Sequence, residues 1–226
     1  MVTYKELGQP PALLGTVLYD DWLSSVQHHA ASQAHVTASY DGTCQIWSDA
    51  GDLIKTKHGH RTAVKCCVWL NERMIVSGSI DGDVLISDIE QEEPILMAAG
   101  HADTVTSMVR VPNSSTEFLT ASLDGKIRFF NTESERRERP SNETAKAASH
   151  SLRSTRKKQK MGLQQISPVA TLECSKLGLN AVITSRQSAS TFYTAADDRS
   201  IKRWDVQSGT HTHAMVLVRS LDLLSV

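Results

Sequence analysis

Short apolar runs separated by turn residues occur along most of this chain. The run Val64–Trp69 is apolar at every position except Lys65, which is typical of a strand covered on both faces. Similar runs predict strands at 20–26, 35–39, 43–47, 74–77, 83–87, 105–109, 118–120, 126–130, 168–172, 179–183, 191–194 and 200–204. The pattern predicts an all-β protein, because strand-length runs recur with turn residues between them.

A turn that contains aspartate recurs four times, and six residues after it comes a position that is Trp in two cases. The pairs are Asp41 and Trp47, Asp81 and Ser87, Asp124 and Phe130, and Asp198 and Trp204. Glycine follows the first three aspartates, which suits a tight hairpin because glycine adopts positive φ without steric cost. Repetition at about 40 residues predicts the four-stranded blades of a β-propeller.

Two further positions accompany these turns. A hydroxyl residue stands four residues before each aspartate, and Gly-His pairs precede the second and third turns. Gly-His, Ser or Thr, Asp and Trp at these offsets resemble the WD-repeat signature, which implies a hydrogen-bonded relay of these side chains within each blade. The relay residues are then His60, Ser77 and Asp81; His101, Thr120 and Asp124; Thr37, Asp41 and Trp47; and Thr194, Asp198 and Trp204.

No repeat carries the full signature. The second and third repeats have Ser87 and Phe130 at the Trp position, and the first and fourth have Tyr19 and Ser175 at the His position. At about 40–45 residues per blade, a chain of 226 residues makes four or five blades. We therefore expect about four blades and the start of a fifth, that is, a partial propeller whose apolar end faces favour aggregation or a partner.

Composition is that of an ordinary soluble protein, with 40% hydrophobic and 5% aromatic residues. No apolar run approaches the roughly 20 residues of a membrane-spanning helix, and the N-terminus does not resemble a signal sequence. The four cysteines lie at apolar strand positions without C-x-x-C spacing, which indicates reduced core thiols. The sequence predicts no cofactor, no metal and no small-molecule substrate.

Positive charge is concentrated in one segment. Residues 136–160 hold nine Lys and Arg against two Glu, a local charge of +7 in a chain whose net charge is −1. The repeat also lengthens here, since Asp124 and Asp198 are 74 residues apart. We expect residues 132–166 to be a disordered basic insert, because such a composition buries too little apolar surface to offset its ordering entropy.

The repeats divide the chain into four parts. Residues 1–18 are expected to be an extended lead-in, 19–131 the first three blades, and 167–226 the fourth blade and the start of a fifth. Within the insert, Arg156, Lys157, Lys158 and Lys160 form a basic patch typical of a nuclear-import signal or a phosphate-binding site. A solvated charge run is the plainer alternative.

Other candidate chemistry is weak. His60, Ser77 and Asp81 are the residue types of a hydrolase triad, but a matching trio recurs one blade later, which favours a structural role. Asp20 and Asp21 are neighbours on a predicted strand, so their side chains point to opposite faces. The His58/His60 and His211/His213 pairs lack a third ligand nearby in sequence, which disfavours a zinc site.

The order of the motifs is similar to one group of WD-repeat proteins. Residues 20–26 (DDWLSSV), the basic patch, 168–172 (PVATL) and 204–209 (WDVQSG) follow one another as in the subunit that joins pescadillo and the block-of-proliferation protein. Tyr19 departs from the His that is usual in this PeBoW-type family. The family's N-terminal ubiquitin-like domain, which docks the ATPase midasin, and about three C-terminal blades have no counterpart in these residues.

This resemblance implies a non-catalytic scaffold for large (60S) ribosomal subunit biogenesis and rRNA maturation. The implied partners are pescadillo-like and block-of-proliferation-like proteins and the pre-60S particle, and the implied location is the nucleolus and nucleoplasm. Two rivals stay open: a generic WD-repeat adaptor, such as a ubiquitin-ligase substrate receptor, and a propeller hydrolase. The first would co-purify with ligase subunits, and the second would lose turnover on Ser77→Ala.

Overall fold

A computed structural model describes residues 21–133, 163–185, 190–205 and 211–216, the last as backbone alone. These residues form seventeen strands in four sheets and one 3₁₀ turn, Ala30–Ser32. The part of the chain that is described contains no helix long and apolar enough to cross a membrane. The all-β prediction is confirmed.

The first sheet is a four-stranded antiparallel meander. Its strands are β1 (Leu23–His29), β2 (Ala34–Ser39), β3 (Cys44–Ser48) and β4 (Leu53–Lys57), paired in chain order. The inner strand begins at Leu23, three residues later than the pattern predicts, and Asp21 precedes it in a bend. This sheet is the first blade.

The second sheet has the same meander and one strand more. It consists of β5 (Val64–Trp69), β6 (Met74–Ser79), β7 (Val84–Asp88) and β8 (Leu96–Ala98), joined by β12 (Gln164–Ile166). Strand β12 runs parallel to β8, with Gln164 opposite Leu96 and Ile166 opposite Ala98. Our expectation that all of 132–166 lacks regular structure is therefore wrong at its C-terminal end, because Ile166 is buried in the core of the second blade.

The third sheet closes with a strand that lies far away in the sequence. Its strands are β9 (Val105–Arg110), β10 (Glu117–Ser122), β11 (Lys126–Asn131) and β13 (Ala170–Glu173). Because β13 pairs with β11, the basic insert lies between the third and fourth strands of this blade. The repeats predict that the fourth blade begins at residue 167, and the pairing of β13 with β11 corrects that boundary.

The fourth sheet repeats the antiparallel meander. It contains β14 (Leu179–Thr184), β15 (Thr191–Ala196), β16 (Ser200–Asp205) and β17 (His211–Val216). The expected lead-in at 1–18 and the expected start of a fifth inner strand after 216 lie outside the described residues.

The four inner strands pack side by side in chain order. Strand β1 contacts β5, β5 contacts β9, and β9 contacts β14. Three apolar clusters fill the spaces between successive blades and bury, among others, Ile46, Phe118 and Phe192. Burying one such side chain contributes about 1.5–3 kcal/mol to the stability of the fold. These clusters therefore stabilise the contacts between successive blades of the β-propeller.

Inner strands are also linked by polar side chains. Ser24 donates a hydrogen bond to the carbonyl of Val64 (2.6 Å), one blade on, and Thr106 donates to the carbonyl of Leu179 (2.6 Å). Ser24 and Thr106 are the second residues of β1 and β9. The inner strands of the first and second blades, and those of the third and fourth, are therefore joined by hydrogen bonds as well as by apolar packing.

Candidate functional site

The relay of the third blade is the most complete one. Nε2 of His101 lies 2.7 Å from the hydroxyl of Thr120, and its Nδ1 lies 3.1 Å from the carboxylate of Asp124. A proton on Nδ1 is donated to Asp124, and Nε2 then accepts from Thr120. The structure thus brings together the three residues that the sequence predicts for this blade, and Phe130 fills the Trp position with its ring stacked on Phe118.

Arg128 joins this relay, although the repeat signature does not include this position. Its guanidinium lies 2.8 Å from the Asp124 carboxylate and also contacts His101. Burial alone would raise the pKa of Asp124, but hydrogen bonds from His101 and Arg128 lower it well below its ordinary range. Burial and the charge of Arg128 lower the pKa of His101 in spite of Asp124. At neutral pH the cluster therefore holds a neutral imidazole beside a buried ion pair.

The fourth blade builds a related network from other residues. Nε1 of Trp204 donates to the hydroxyl of Thr194 (2.9 Å), the Trp link that the signature implies. Ser175, at the His position, donates to Asp198 (3.1 Å), which also accepts from Lys202 (3.0 Å). Burial alone would raise the pKa of Asp198, but hydrogen bonds from Ser200 and Lys202 lower it below its ordinary range.

Lys202 and Arg128 occupy the same repeat position, four residues after the turn aspartate. The sequence contains a signal for this cation, because Arg128 follows Asp124 at the same spacing as Lys202 follows Asp198. The first and second blades have Gln45 and Leu85 at this position. Two of the four described blades thus place a cation beside the turn aspartate.

In the second blade the relay is incomplete. Nε2 of His60 lies 2.8 Å from the hydroxyl of Ser77. Within the described residues, however, the buried Nδ1 of His60 has no hydrogen-bond partner. Asp81 accepts from Ser79 and from the amide of Asp83 in its own turn. Desolvation lowers the pKa of His60 to about 4.

In the first blade the predicted residues serve local roles. The hydroxyl of Thr37 donates to the carbonyl of Gln45 (3.2 Å), and Asp41 accepts from the amide and the hydroxyl of Thr43 (2.7 Å each). Burial would raise the pKa of Asp41, but these bonds from Thr43 lower it. Trp47 is buried in β3, opposite His35.

The hydrolase alternative finds little support in this geometry. Ser77 is buried within the second sheet, and His60 lacks on Nδ1 the carboxylate bond that orients a catalytic imidazole. No group of three metal-ligating side chains occurs among the described residues. The basic patch at 156–160 and His211 and His213 lie outside the side chains described.

All four cysteines are buried and free, as their apolar positions predict. Desolvation raises the pKa of the Cys67 and Cys174 thiols to about 12. These thiols therefore stay protonated and act as small apolar core groups.

The aspartate turns and the loops before the inner strands lie together along one edge of the blades. We call this edge the turn rim and define it as residues 21–22, 40–43, 58–63, 80–83, 101–104, 123–125, 175–178 and 197–199. In every blade the residue before the turn aspartate donates its amide to the loop of the same blade. The bonds are Tyr40 to Trp22, Ile80 to Ala63, Leu123 to Thr104, and Asp197 to Gly178, at 2.9–3.1 Å.

The turns of the first three blades also lie against the loop of the following blade. Gly125 accepts hydrogen bonds from the amides of Cys174 and Ser175 (3.0 and 3.1 Å). A Cβ on Gly82 would lie 2.8 Å from the carbonyl oxygen of His101, so the turn glycine leaves room for that loop. The fourth blade has Arg199 at this position, exposed and with φ of 65°.

This repeated sheet, with its turn rim, defines a WD-type β-propeller. Residues 14–48, 51–88 and 92–131 match the family model described as WD domain, G-beta repeat, and together they cover half of the chain. The chain belongs to this family. Its fourth sheet, outside the three matches, has the same strand order.

Similarity to individual proteins extends over nearly the whole chain. Ribosome biogenesis protein YTM1 of Coccidioides immitis is 28% identical over 94% of this chain and 49% of that protein. Ribosome biogenesis protein WDR12 homolog of Trichoplax adhaerens is 28% identical over 93% and 48%, and ytm1 of Schizosaccharomyces pombe is 25% identical over 95% and 51%. The chain spans about half the length of the curated relatives it matches.

Proposed function

We propose that this chain is a docking scaffold, without catalytic activity, in the assembly of the large ribosomal subunit. One observation carries the proposal: relatives named as ribosome biogenesis proteins align with 92–100% of the chain. The described geometry supports a scaffold, because the Ser, His and Asp side chains of the repeats are used in hydrogen bonds within blades.

The rim supplies surface for docking. Trp22, Ile80, Leu123 and Leu177 expose a large part of their side chains along this edge. Large exposed apolar side chains that lie close together mark interaction sites in soluble proteins. A scaffold needs such a surface, and no cofactor is required for it to work.

The partners and location follow from the resemblance. We propose pescadillo-like and block-of-proliferation-like proteins as partners, on the pre-60S particle in the nucleolus and nucleoplasm. The basic patch of Arg156, Lys157, Lys158 and Lys160 would direct import, since its charge stands out from an otherwise acidic chain. The protein would bring its partners together while precursor rRNA is matured.

The test is affinity purification of the tagged chain, with identification of co-purifying proteins and sedimentation on a sucrose gradient. We expect pescadillo-like and block-of-proliferation-like proteins, and co-sedimentation with pre-60S particles. Depletion should cause precursors of the large-subunit rRNA to accumulate. Co-purification with ubiquitin-ligase subunits and sedimentation apart from pre-60S particles would overturn the proposal and favour the substrate-receptor alternative.

A further inference from the structure

Apolar side chains recur at matching places on the turn rim. Ile80 and Leu123 each precede a turn aspartate and are 44% and 38% exposed. Trp22 and Leu177, in the loops before the inner strands, are 77% and 52% exposed. A single exposed apolar residue is ordinary, but four on one edge, of which Ile80 and Leu123 share a repeat position, form a surface.

Contacts connect neighbouring parts of this surface. Trp22 and Tyr40 are ring neighbours, with centroids 6.1 Å apart. Further along, Thr104 joins two blades, because its hydroxyl donates to the carbonyl of Ile80 (2.9 Å) and its carbonyl accepts from the amide of Leu123. Leu123 in turn packs against the backbone of Gly178, next to Leu177. Ile80, Leu123 and Leu177 therefore follow one line along the rim from the second to the fourth blade, and Trp22 and Tyr40 add an aromatic pair on the first.

Negative charge surrounds this line. Five aspartates are exposed on the rim: Asp21, Asp41, Asp81, Asp103 and Asp197. The exposed cations among the described rim residues are Arg61, Lys176 and Arg199. On the rim of the first three blades the excess of negative over positive charges is larger, with four exposed aspartates and one exposed cation. This negative charge attracts basic groups, and it also raises the rate at which a basic partner associates with the rim.

We propose that the turn rim binds an extended protein segment in which apolar and basic residues alternate. The apolar side chains of the segment pack on Trp22, Ile80, Leu123 and Leu177, and its Lys or Arg side chains face the rim aspartates. An extended segment fits because its side chains alternate sides, so one side can be apolar. This inference rests on the proposed docking function and adds the chemistry of the partner.

The probe is a fluorescein-labelled 12-residue peptide of alternating leucine and lysine, titrated with the full 226-residue chain and read by fluorescence anisotropy. Matched peptides replace lysine by glutamate or leucine by serine. We expect the Leu/Lys peptide to bind at least about tenfold more tightly than either matched peptide, because each lacks one half of the complementarity. Equal binding of the Leu/Lys and Ser/Lys peptides would show charge attraction alone and overturn the proposal.

Variants place the binding on the rim. The double variant Ile80→Ser/Leu123→Ser should weaken Leu/Lys peptide binding about tenfold. Ile54→Ser should leave it unchanged, because Ile54 lies on β4 away from the rim although it is even more exposed (58%). Asp103→Asn keeps the cap on the Thr104 amide and should weaken binding and its salt dependence. Asp49→Asn is its control off the rim. An equal loss in Ile54→Ser, or no loss in the rim variants, would overturn the proposal.

The two proposals fail separately. If the peptide does not bind but the tagged chain co-sediments with pre-60S particles, the scaffold role stands and docking uses another surface. If the peptide binds as expected but the chain sediments apart from those particles, the rim chemistry stands and the ribosomal role is lost. Thermal melting of every variant separates loss of binding from loss of the fold.

Discussion

The guanidinium of Arg128 lies 2.8 Å from the carboxylate of Asp124, and both side chains are less than a tenth exposed. Placing two charges in a protein interior costs several kcal/mol, which close pairing and further hydrogen bonds must offset. Here Asp124 also accepts from the amides of Ala102 (3.2 Å) and Lys126 (3.0 Å). The turn of the third blade is thus tied to its own loop and strand by one carboxylate.

Removing the cation should be costly. Arg128→Met keeps much of the side-chain volume but leaves the Asp124 charge buried, so we expect a loss of about 3 kcal/mol in unfolding free energy. Lys126→Met is the control, because it removes a half-exposed ion pair with Glu173 from the same hairpin and should cost less than about 1 kcal/mol. Urea denaturation followed by tryptophan fluorescence measures both. Similar midpoints for the two variants would contradict the prediction.

The turn aspartates should differ in importance. We expect Asp124→Ala and Asp81→Ala both to destabilise, by about 1–3 kcal/mol, with Asp124→Ala the larger. The reason is that loss of the Asp124 carboxylate leaves the buried Arg128 cation without its counter-ion, whereas the side chain of Asp81 is exposed to solvent. Denaturation midpoints compare the two. A larger loss for Asp81→Ala would mean that the relay of the second blade is the stronger one.

Acid should destabilise the protein through its buried histidines. Burial holds the pKa of His60 at about 4, below its ordinary value of 6.5. As the pH falls below 6.5, His60 becomes protonated in the unfolded state, whereas in the folded state it stays neutral until about pH 4. The free energy of unfolding therefore decreases between about pH 6.5 and about pH 4. The full loss from this one group is about 3 kcal/mol. The lowered pKa of His101 acts in the same direction.

Denaturation at about pH 7 and about pH 4.5 tests this linkage. His60→Gln removes the titration while keeping a polar group near Ser77, so the difference between the two pH values should shrink. The exposed His58 offers a matched control in His58→Gln. The prediction fails if His60→Gln keeps the full pH dependence of the parent chain.

Sequence patterns were sufficient where one blade is made of consecutive residues. The apolar run predicts strand Val64–Trp69 at its observed bounds, and the aspartate turns lie where the repeat predicts them. Local alternation and turn chemistry specify these elements, since their partners are the next strands along the chain. The pairing of β12 with β8 joins residues that are 68 positions apart in the sequence. The three residues Gln164–Ile166 are too short a segment to predict this pairing.

The side chains of the site were harder to predict than the strands. The signature led to His101, Thr120 and Asp124, but it also suggested a His60 relay whose Nδ1 contact is not formed among the described residues. The sequence does not predict the burial of Arg128, because a basic residue in a strand is usually exposed to solvent. Its burial follows only from the space above Gly100, whose missing Cβ would lie 2.9 Å from Nε of Arg128.

The basic patch should control localisation. Replacing Arg156, Lys157, Lys158 and Lys160 by alanine removes four of the nine cations of residues 136–160, and we expect a fluorescently tagged chain to lose the nucleolar accumulation that we propose for it. Replacing Arg136, Arg137, Arg139 and Lys146 instead removes the same charge outside the patch and serves as control. Nucleolar accumulation that persists in the patch variant, or an equal loss in both, would remove this role from the patch.

The turn glycines should matter according to what lies beside them. Gly125 and Gly51 both have positive φ, 76° and 92°. A Cβ on Gly125 would overlap the carbonyl oxygen of Ser175 in the next blade, whereas a Cβ on Gly51 would meet nothing within 4 Å. Both alanine variants carry the backbone strain of about 1–2 kcal/mol, but only Gly125→Ala must also push two blades apart. We expect Gly125→Ala to cost about 1–3 kcal/mol more than Gly51→Ala in urea denaturation. Equal losses would show that the contact between blades at this turn yields without cost, and that φ alone selects glycine there.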